Sequence, residues 1–316
     1  MSGKPRYGGA FLWGLSCGVM TRLHNLLLGL VLLVPGPQPG AAPLVAYAAG
    51  DIAFCGDAPA RWSAAARTER LISSQAMVFV LGDTAYPFAT SKELERCYRP
   101  TWGRHLDRTL AVPGNHDYVD GHSTDFVAYF GEAAGEEGRF ARRLGAWLVI
   151  GLDSSDTSAG LARQYAWLET ALVEHAGAAC IAALWHKPLY SSGVHQGSGE
   201  QMRRFWHLLD QHGADLVLNG HEHHYEAFDP LDASGAPVAA GLRSFVVGTG
   251  GAPLRDFPNV TIKSRARISR HGVLRLELDD DSYSWQFIDV RYRRLDPGYA
   301  LCRPKLGANA EISPPP

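Results

Sequence analysis

Five polar clusters, each directly behind a short apolar run, carry the side chains in this sequence that are best suited to chemistry. The clusters are Gly50-Asp51, Gly82-Asp83-Thr84-Ala85-Tyr86, Gly114-Asn115-His116-Asp117, Trp185-His186 and Gly220-His221-Glu222-His223. Carboxylates, amide oxygens, phenols and imidazoles are ligands for hard or borderline metal ions. If the preceding runs are strands of one sheet, the clusters converge in space. The pattern therefore predicts a hydrolytic site with two metal ions better than it predicts a core.

The apolar runs have the length of strands, and helical patterns lie between several of them. The runs are residues 44–49, 77–81, 109–112, 181–184 and 216–218. The helical patterns are residues 60–73, 91–98, 159–175 and 199–211. Because strands that alternate with helices are typical of βαβ units, the sequence predicts a single α/β unit.

The pattern changes after His223, where residues 245–247, 272–278 and 283–290 are predicted to be strands without helices between them. In residues 272–278 polar and apolar side chains alternate, which predicts a half-exposed antiparallel edge strand. The Gly-rich stretch 248–251 lacks the lysine of a phosphate-binding loop and is predicted to be a tight return near the rim of the site.

Composition limits the class of protein. The chain has 316 residues, of which 46% are hydrophobic and 20% are charged, with a formal net charge of -2. These values are ordinary for a folded globular protein. Without a global excess of positive charge, no nucleic-acid partner is expected.

The first 42 residues have the features of a signal peptide. Lys4, Arg6 and Arg22 are the only ionised side chains before Asp51, and a short apolar stretch is followed by Pro, Gly and Ala residues. A basic start, an apolar core and a small-residue exit predict export, to a periplasm or outside the cell. Met20 is an alternative start of this signal.

A membrane anchor formed by residues 11–34 is the alternative for this segment. Arg22 and His24 interrupt that span, and the uninterrupted apolar stretch is about half of the roughly 20 residues needed to cross a bilayer. Contact with a membrane is therefore expected only through this signal if it remains uncleaved.

Four cysteines follow the predicted signal: Cys55, Cys97, Cys180 and Cys302. Four cysteines allow three pairings. Cys55 and Cys97 follow the first and second predicted strands on the same side of the sheet, so we predict a Cys55–Cys97 disulfide. Cys180 begins an apolar strand, and the alternative to a disulfide at this position is a buried free thiol.

The clusters differ in what each contributes. Asp51 and Asp83 each follow a glycine that lets the chain turn as the strand ends; a simple turn is the alternative for either one alone. A carboxylate that bridges two ions holds them a few ångströms apart. His221 and His223 are two residues apart, so in an extended segment both face one side and each can serve one ion of a pair.

In their order and strand context, the five motifs resemble the metallophosphoesterase superfamily, also called calcineurin-like phosphoesterases. Many members carry Asp-x-His in the first motif, but Ala53 stands where that histidine would be. The second motif instead has Tyr86 in Gly-Asp-x-x-Tyr, which resembles the purple acid phosphatase branch. The resemblance implies an α/β fold, a four-layer αββα sandwich of two packed mixed sheets flanked by helices, with the metal site at the carboxyl ends of the strands. It implies a catalytic domain over residues 43–300 and a C-terminal tail over 301–316.

The resemblance also implies the metal ligands. The first ion would be bound by Asp51, Tyr86 and His223, the second by Asn115, His186 and His221, and Asp83 would bridge the two. A phenolate favours a trivalent ion, so Fe(III) is expected at the first site and Zn, Mn or Fe(II) at the second. An orientation of Tyr86 away from the site is the alternative.

The implied reaction is hydrolysis of phosphate monoesters by direct attack of a metal-bound hydroxide. His116 is expected to donate to the leaving oxygen or to the phosphoryl group, and His195 resembles a second histidine that faces the substrate. His224 is expected not to be a ligand, whereas Glu222 and Asp117 are expected to orient imidazoles.

Two other functions remain open from the sequence. One is a phosphodiesterase with the same metals, acting on cyclic nucleotides or phospholipid head groups. The other is a protein without enzymatic activity, in which the metals are structural and the surface binds a partner.

Overall fold

The computed structural model describes residues 42–56, 59–260 and 264–305. The predicted signal peptide, apart from Ala42, and residues 306–316 of the predicted tail lie outside this part of the chain. Within the described part, no helix has both the length and the apolarity needed to cross a membrane.

A six-stranded mixed sheet contains the first three long strands of the chain side by side and parallel. Its strands are β1 (Leu44–Ala49), β3 (Met77–Leu81), β5 (Thr109–Val112), β13 (Gly272–Leu278), β14 (Ser282–Asp289) and β15 (Arg294–Leu301). Their order is β15-β14-β13-β1-β3-β5, and β13, β14 and β15 are antiparallel to their neighbours. The prediction of an edge strand over 272–278 was wrong, because β13 lies between β1 and β14 and the edge strands of this sheet are β15 and β5.

A seven-stranded mixed sheet holds the later polar clusters. Its strands are β6 (Phe140–Leu144), β7 (Trp147–Gly151), β8 (Cys180–Leu184), β9 (Leu216–Asn219), β10 (Tyr225–Ala227), β11 (Arg243–Val247) and β12 (Ala266–Ile268). Their order is β12-β10-β11-β9-β8-β7-β6, and the central strands β7, β8, β9 and β11 are parallel. A small parallel pair, β2 (Ala53–Phe54) and β4 (Ala85–Tyr86), lies beside the two sheets' site-forming loops.

The helices are mostly short. The α-helices are α1 (Ala64–Glu69), α2 (Ser91–Glu93), α3 (Thr124–Phe130), α4 (Ser158–Glu174) and α5 (Arg203–Gln211). Short 3-10 segments are Ala60–Trp62, Trp102–Arg108, Asn115–Asp117, Gly131–Ala133 and Glu200–Met202, and Leu94–Tyr98 is a π-helical turn. The predicted helix over 159–175 is confirmed as α4, which begins after Thr157, whose side chain accepts a hydrogen bond from the backbone of Gly160.

Two apolar layers hold these elements together, and the predicted α/β sandwich is thereby confirmed. One contains side chains from both sheets, such as Phe79 of β3, Leu218 of β9 and Leu274 of β13. The other lies between the seven-stranded sheet and helices α4 and α5, with Ile150, Leu168 and other buried side chains. Burial of such side chains removes apolar surface from water, the dominant favourable term in folding.

Two disulfides cross-link the described chain. Cys55 pairs with Cys97, which confirms that prediction, and Cys180 pairs with Cys302, so the alternative of a free thiol at Cys180 was wrong. Residues 301–305, which the sequence assigned to the tail, include the end of β15 and the half-cystine Cys302.

Candidate metal centre

The carboxyl ends of the parallel strands from both sheets meet at one edge of the sandwich. The backbone N–H of Gly50, after β1, donates to Val247 O of β11 at 2.9 Å. His186 Nδ1, after β8, lies 2.8 Å from the carbonyl oxygen of Leu81 in β3. These contacts join the two sheets at the point where the polar clusters begin.

The Tyr86 hydroxyl is the centre of the first half of the site. Its oxygen lies 2.9 Å from Asp51 Oδ1, 2.9 Å from Asp83 Oδ2 and 3.1 Å from His223 Nε2. His223 Nε2 is 3.2 Å from Asp51 Oδ1. Tyr86 therefore points into the cluster, and the alternative orientation was wrong.

Asp83 also belongs to the second half of the site. Its Oδ1 lies 3.3 Å from His186 Nε2, which is 3.2 Å from His221 Nδ1. One ligand atom from each of these three residues lies within 4.8 Å of the other two. The side chain of Asp83 thus contacts both halves, with one carboxylate oxygen facing each.

Asn115 and His116 approach Asp83 from the loop after β5. The backbone N–H of His116 donates to Asp83 Oδ1 at 2.8 Å. The side-chain oxygen of Asn115 is buried and has no hydrogen-bond partner. A buried amide oxygen without a hydrogen bond destabilises the fold unless a donor or a cation contacts it. The side-chain oxygen of Asn115 is therefore available to bind a metal ion.

The backbone at the site adopts conformations that most residues avoid. Asp51, Asp83 and His221 have φ values of 59°, 51° and 71°. Non-glycine residues in this left-handed region cost on the order of 1–3 kcal/mol each and cluster at functional sites. The turn after β1 is thus made by Asp51 itself. Gly82, with φ 83°, is needed as glycine because a Cβ there would lie 2.6 Å from His186 Nδ1.

Backbone carbonyls orient three of the imidazoles. The Nδ1 atom of His186 lies 2.8 Å from Leu81 O. That of His223 lies 2.7 Å from Pro253 O, and that of His116 lies 2.7 Å from Pro87 O. A carbonyl oxygen can only accept, so each Nδ1 carries the proton. In a neutral ring the Nε2 lone pair is then free, and in His186 and His223 it faces the carboxylates.

The buried carboxylates, imidazoles and phenol of the site shift one another's pKa values. Burial opposes a charged imidazole, but the Asp83 carboxylate overcomes this and raises the pKa of His186 to about 9. Burial also favours neutral Asp83, but His186 holds its pKa well below its usual range. Burial and the neighbouring His186 lower the pKa of His221 to about 2. Burial, followed by Asp51 and Asp83, raises the pKa of Tyr86 well above its ordinary value.

The donor set fits metal ions. Asp51 and Asp83 are 0% and 1% exposed, and within the described ranges no lysine or arginine forms an ion pair with either. Buried charges require partners or metal ions. Here the partners are imidazole and phenol groups, which are themselves ligands for borderline and trivalent ions, and Asn115 adds an unpaired oxygen. Two overlapping groups of donors share Asp83, as two adjacent ions would require.

His195 lies against the second half of the site. Its ring is 4.5 Å from the ring of His221, centroid to centroid. Its backbone N–H donates to Glu222 Oε1 at 2.8 Å, and its Nδ1 lies 3.4 Å from Glu222 Oε2. Glu222 therefore faces an imidazole as expected, but that of His195 rather than that of a metal-ligand candidate.

Two neighbouring polar residues have other partners. Asp117 accepts hydrogen bonds from Thr84 and from the backbone of Gly114, so the expectation that it orients an imidazole was wrong: it supports the turns that carry Asp83 and Asn115. His224 is buried with its Nε2 3.5 Å from Glu226 Oε2, in agreement with a role other than ligand.

Arg255 is a residue that the sequence reasoning missed. Its backbone N–H donates to His223 O at 3.0 Å, and its Nη1 lies 3.3 Å from both ring nitrogens of His195. It follows the Gly-rich stretch 248–251, and that stretch does lie at the site, with Gly250 N donating to Gly50 O at 2.9 Å. The position of this stretch was the only signal in the sequence that pointed towards Arg255.

The sequence profile of the calcineurin-like phosphoesterase family matches residues 50–225. Among curated proteins, purple acid phosphatase 15 of Arabidopsis thaliana is 27% identical to this chain over 253 residues. That match covers 66% of this chain and 44% of the relative, so the chain spans less than half the length of this relative.

Solved structures share the fold. The purple acid phosphatase PPD1 from yellow lupin (Lupinus luteus) seeds has a TM-score of 0.62 and 17% identity, and the match covers 83% of this chain and 55% of that one. GAP50, the anchor in the inner membrane complex of Plasmodium, has a TM-score of 0.62 and 16% identity, covering 84% and 90% of the two chains. At such identities the likeness establishes the fold alone.

Proposed function

The chain belongs to the calcineurin-like phosphoesterase family, and we propose that it is a dinuclear metal phosphatase of the purple acid phosphatase type that hydrolyses phosphate monoesters. The family membership confirms the resemblance inferred from the motifs. The finer assignment rests on the site: Tyr86 occupies the centre of the first half, where its phenol contacts both aspartates.

Seven side chains would hold the two ions in this proposal. The first set is Asp51, Tyr86 and His223, the second is Asn115, His186 and His221, and Asp83 serves both. A phenolate in the first set favours Fe(III), whereas the second set suits Zn, Mn or Fe(II). When bound, the ions offset the charge of the phosphoryl oxygens and lower the pKa of water towards 7, which provides the nucleophile.

The other residues act on the substrate. His116 has its Nδ1–H held by Pro87 O, so its Nε2 is the nitrogen available to pass a proton to the leaving alcohol. His195, held by Glu222 beside His221, would contact a phosphoryl oxygen. Asp51 and Asp83 are buried from bulk water, and charge interactions are stronger where the surroundings screen them less than water does.

The single observation that carries the proposal is the hydroxyl of Tyr86 bound to both aspartates, because it brings the two donor sets together. The same fold occurs in a Plasmodium anchor protein, so the fold alone does not establish an enzyme. Every donor that a two-ion site needs is present here, which favours catalysis over a purely structural role.

Export is part of the proposal. The basic and apolar start of the sequence has the pattern of a signal peptide. Both disulfides in the described chain also favour it, because disulfides persist in oxidising compartments. We therefore place the protein in a periplasm or outside the cell.

The test combines metal analysis, a visible spectrum and two substrates. The purified protein should contain two ions per chain and show a phenolate–Fe(III) absorption band that Tyr86→Phe abolishes. It should hydrolyse 4-nitrophenyl phosphate, and a chelator should remove this activity reversibly. Much faster hydrolysis of bis(4-nitrophenyl) phosphate would instead establish the phosphodiesterase alternative, and two bound ions without hydrolysis of either ester would favour a structural role.

A further inference from the structure

We propose that Arg255 binds an anionic oxygen of the substrate and selects doubly charged phosphate monoesters over singly charged diesters. This inference rests on the proposed function and specifies the charge class of its substrate. It assigns a role to a residue outside the seven candidate ligands and the two histidines.

The backbone fixes Arg255 at the site. The N–H of Arg255 donates to His223 O at 3.0 Å, and two residues earlier Pro253 O accepts from His223 Nδ1 at 2.7 Å. The segment thus closes around a ligand candidate by two hydrogen bonds of opposite direction. These hydrogen bonds hold the backbone of Arg255, from which its side chain starts, at the rim of the site.

The guanidinium lies directly on the histidine that faces the substrate. Arg255 Nη1 is 3.3 Å from Nδ1 and from Nε2 of His195. His195 Nδ1 lies 3.4 Å from Glu222 Oε2, and its ring centroid lies 4.5 Å from that of His221, with the two rings tilted by 33°. A continuous row from Glu222 through His195 to Arg255 therefore borders the second half of the metal centre.

The positive charge of Arg255 has little compensation from the protein. Its described contacts include no ion pair with a carboxylate. A neutral imidazole offers one acceptor nitrogen, so His195 can satisfy at most one of the five N–H donors of a guanidinium. A half-buried cation with most donors unused, beside a site that binds phosphate esters, fits an incoming anion.

The chemistry of the group favours phosphoryl oxygens. The planar guanidinium matches two oxygens of a phosphate, and charge-assisted hydrogen bonds are about twice as strong as neutral ones. A monoester dianion carries twice the charge of a diester monoanion and has an additional unesterified oxygen. The same cation therefore stabilises the monoester more than the diester.

The test compares Arg255→Ala and Arg255→Lys with wild type, all loaded with the same metals. Arg291→Ala is the matched control, because Arg291 is exposed and its hydrogen bond to Asp289 is made by its backbone N–H. Binding of inorganic phosphate is measured by calorimetry, and kcat and KM are measured with 4-nitrophenyl phosphate and bis(4-nitrophenyl) phosphate.

We expect Arg255→Ala to weaken phosphate binding and to raise KM for the monoester by about 10- to 100-fold, the range of one charge-assisted hydrogen bond. In Arg255→Ala the preference for monoester over diester should fall, while the metal content should remain two ions per chain. Arg255→Lys should recover part of the lost affinity. Arg291→Ala should resemble wild type.

The assignment would be overturned by unchanged phosphate affinity and ester preference in Arg255→Ala. An equal loss on both esters accompanied by loss of metal would also overturn it, because the role would then be structural. If wild type hydrolyses neither ester, the proposed function fails, and the calorimetric comparison still decides whether Arg255 binds phosphate.

Discussion

In the described part of the chain, potential metal-ligating groups converge in two places: Asp83–His186–His221 at the carboxyl ends of the strands, and Cys180–Asp215–Cys302 where the C-terminal segment meets β8. In the second place the two sulfurs form a disulfide. Asp215 accepts from Lys305 Nζ at 2.7 Å, from Ile181 N at 2.8 Å and from Arg303 N at 2.5 Å.

The two places differ in which groups hydrogen-bond to the buried carboxylate and neutralise its charge. Asp215 receives its counter-charge and its hydrogen bonds from the chain, so this region clamps the C-terminal segment to the sheet. Asp83 faces imidazoles and a phenol, and its charge is stabilised by His186 and His116 rather than by a lysine or an arginine. We therefore expect an external cation at Asp83, because its imidazole and phenol neighbours are metal ligands and no lysine or arginine of the described residues pairs with it.

The largest effect is expected from a substitution at Asp83. The Asp83→Asn variant keeps the size of the side chain but removes the charge shared by the two donor sets. Metal content should fall below two ions per chain, and hydrolysis of 4-nitrophenyl phosphate should drop by more than about 100-fold, since even partners outside the ligand shell cost 10- to 100-fold.

Plasma emission spectrometry after dialysis and steady-state kinetics measure these two quantities. Asp215→Asn is the matched control, because it removes an equally buried carboxylate from the clamp, and it should retain both ions. Full activity with two ions in Asp83→Asn would mean that the hydrolysis belongs to another site.

The same Asp215→Asn substitution should instead affect stability. Breaking a buried ion pair leaves Lys305 without its counter-charge and costs about 3 kcal/mol in the free energy of unfolding. Urea unfolding measures the loss. Asp210→Asn, at the more exposed 2.9 Å pair with Arg303, should cost less than about 1 kcal/mol, and equal losses in both variants would contradict the distinction drawn for the clamp.

How far the sequence predicts the fold depends on burial. Strands β1, β3 and β5 were predicted with their observed ends, because strands buried on both faces appear as unbroken apolar runs. The hairpin of β6 and β7 was missed, since Arg142 and Arg143 interrupt its first strand. The edge strand β15 was missed as well, because it contains Asp296, Pro297 and Gly298.

The site shows the same division between local and tertiary information. The types and order of the seven ligand candidates are local, so the sequence could identify them. The carbonyl oxygens of Leu81, Pro253 and Pro87, which fix the imidazoles, are backbone groups without any signal in residue type. Arg255 reaches His195 across 60 positions, a contact that only the packing of two loops creates.

A third buried carboxylate, Asp153, has neither an imidazole nor a cation among its described hydrogen-bond partners. Its partners are the hydroxyl of Tyr118 at 2.6 Å and the backbone N–H of Ser155 at 2.8 Å. Burial raises the pKa of Asp153 to about 7. A carboxyl whose pKa is raised on folding contributes stability that is complete below the unfolded value near 4 and is lost as pH rises through about 7.

The wild type should therefore lose about 2 kcal/mol more stability than Asp153→Asn between pH 5 and pH 8. The asparagine keeps the shape and can exchange hydrogen bonds with Tyr118 and Ser155 without ionising. Thermal unfolding of both proteins across this range, each stripped of metal, measures the difference. Parallel pH profiles would mean that Asp153 is ionised at low cost, and that a phenol and one N–H can replace a cation beside a buried carboxylate.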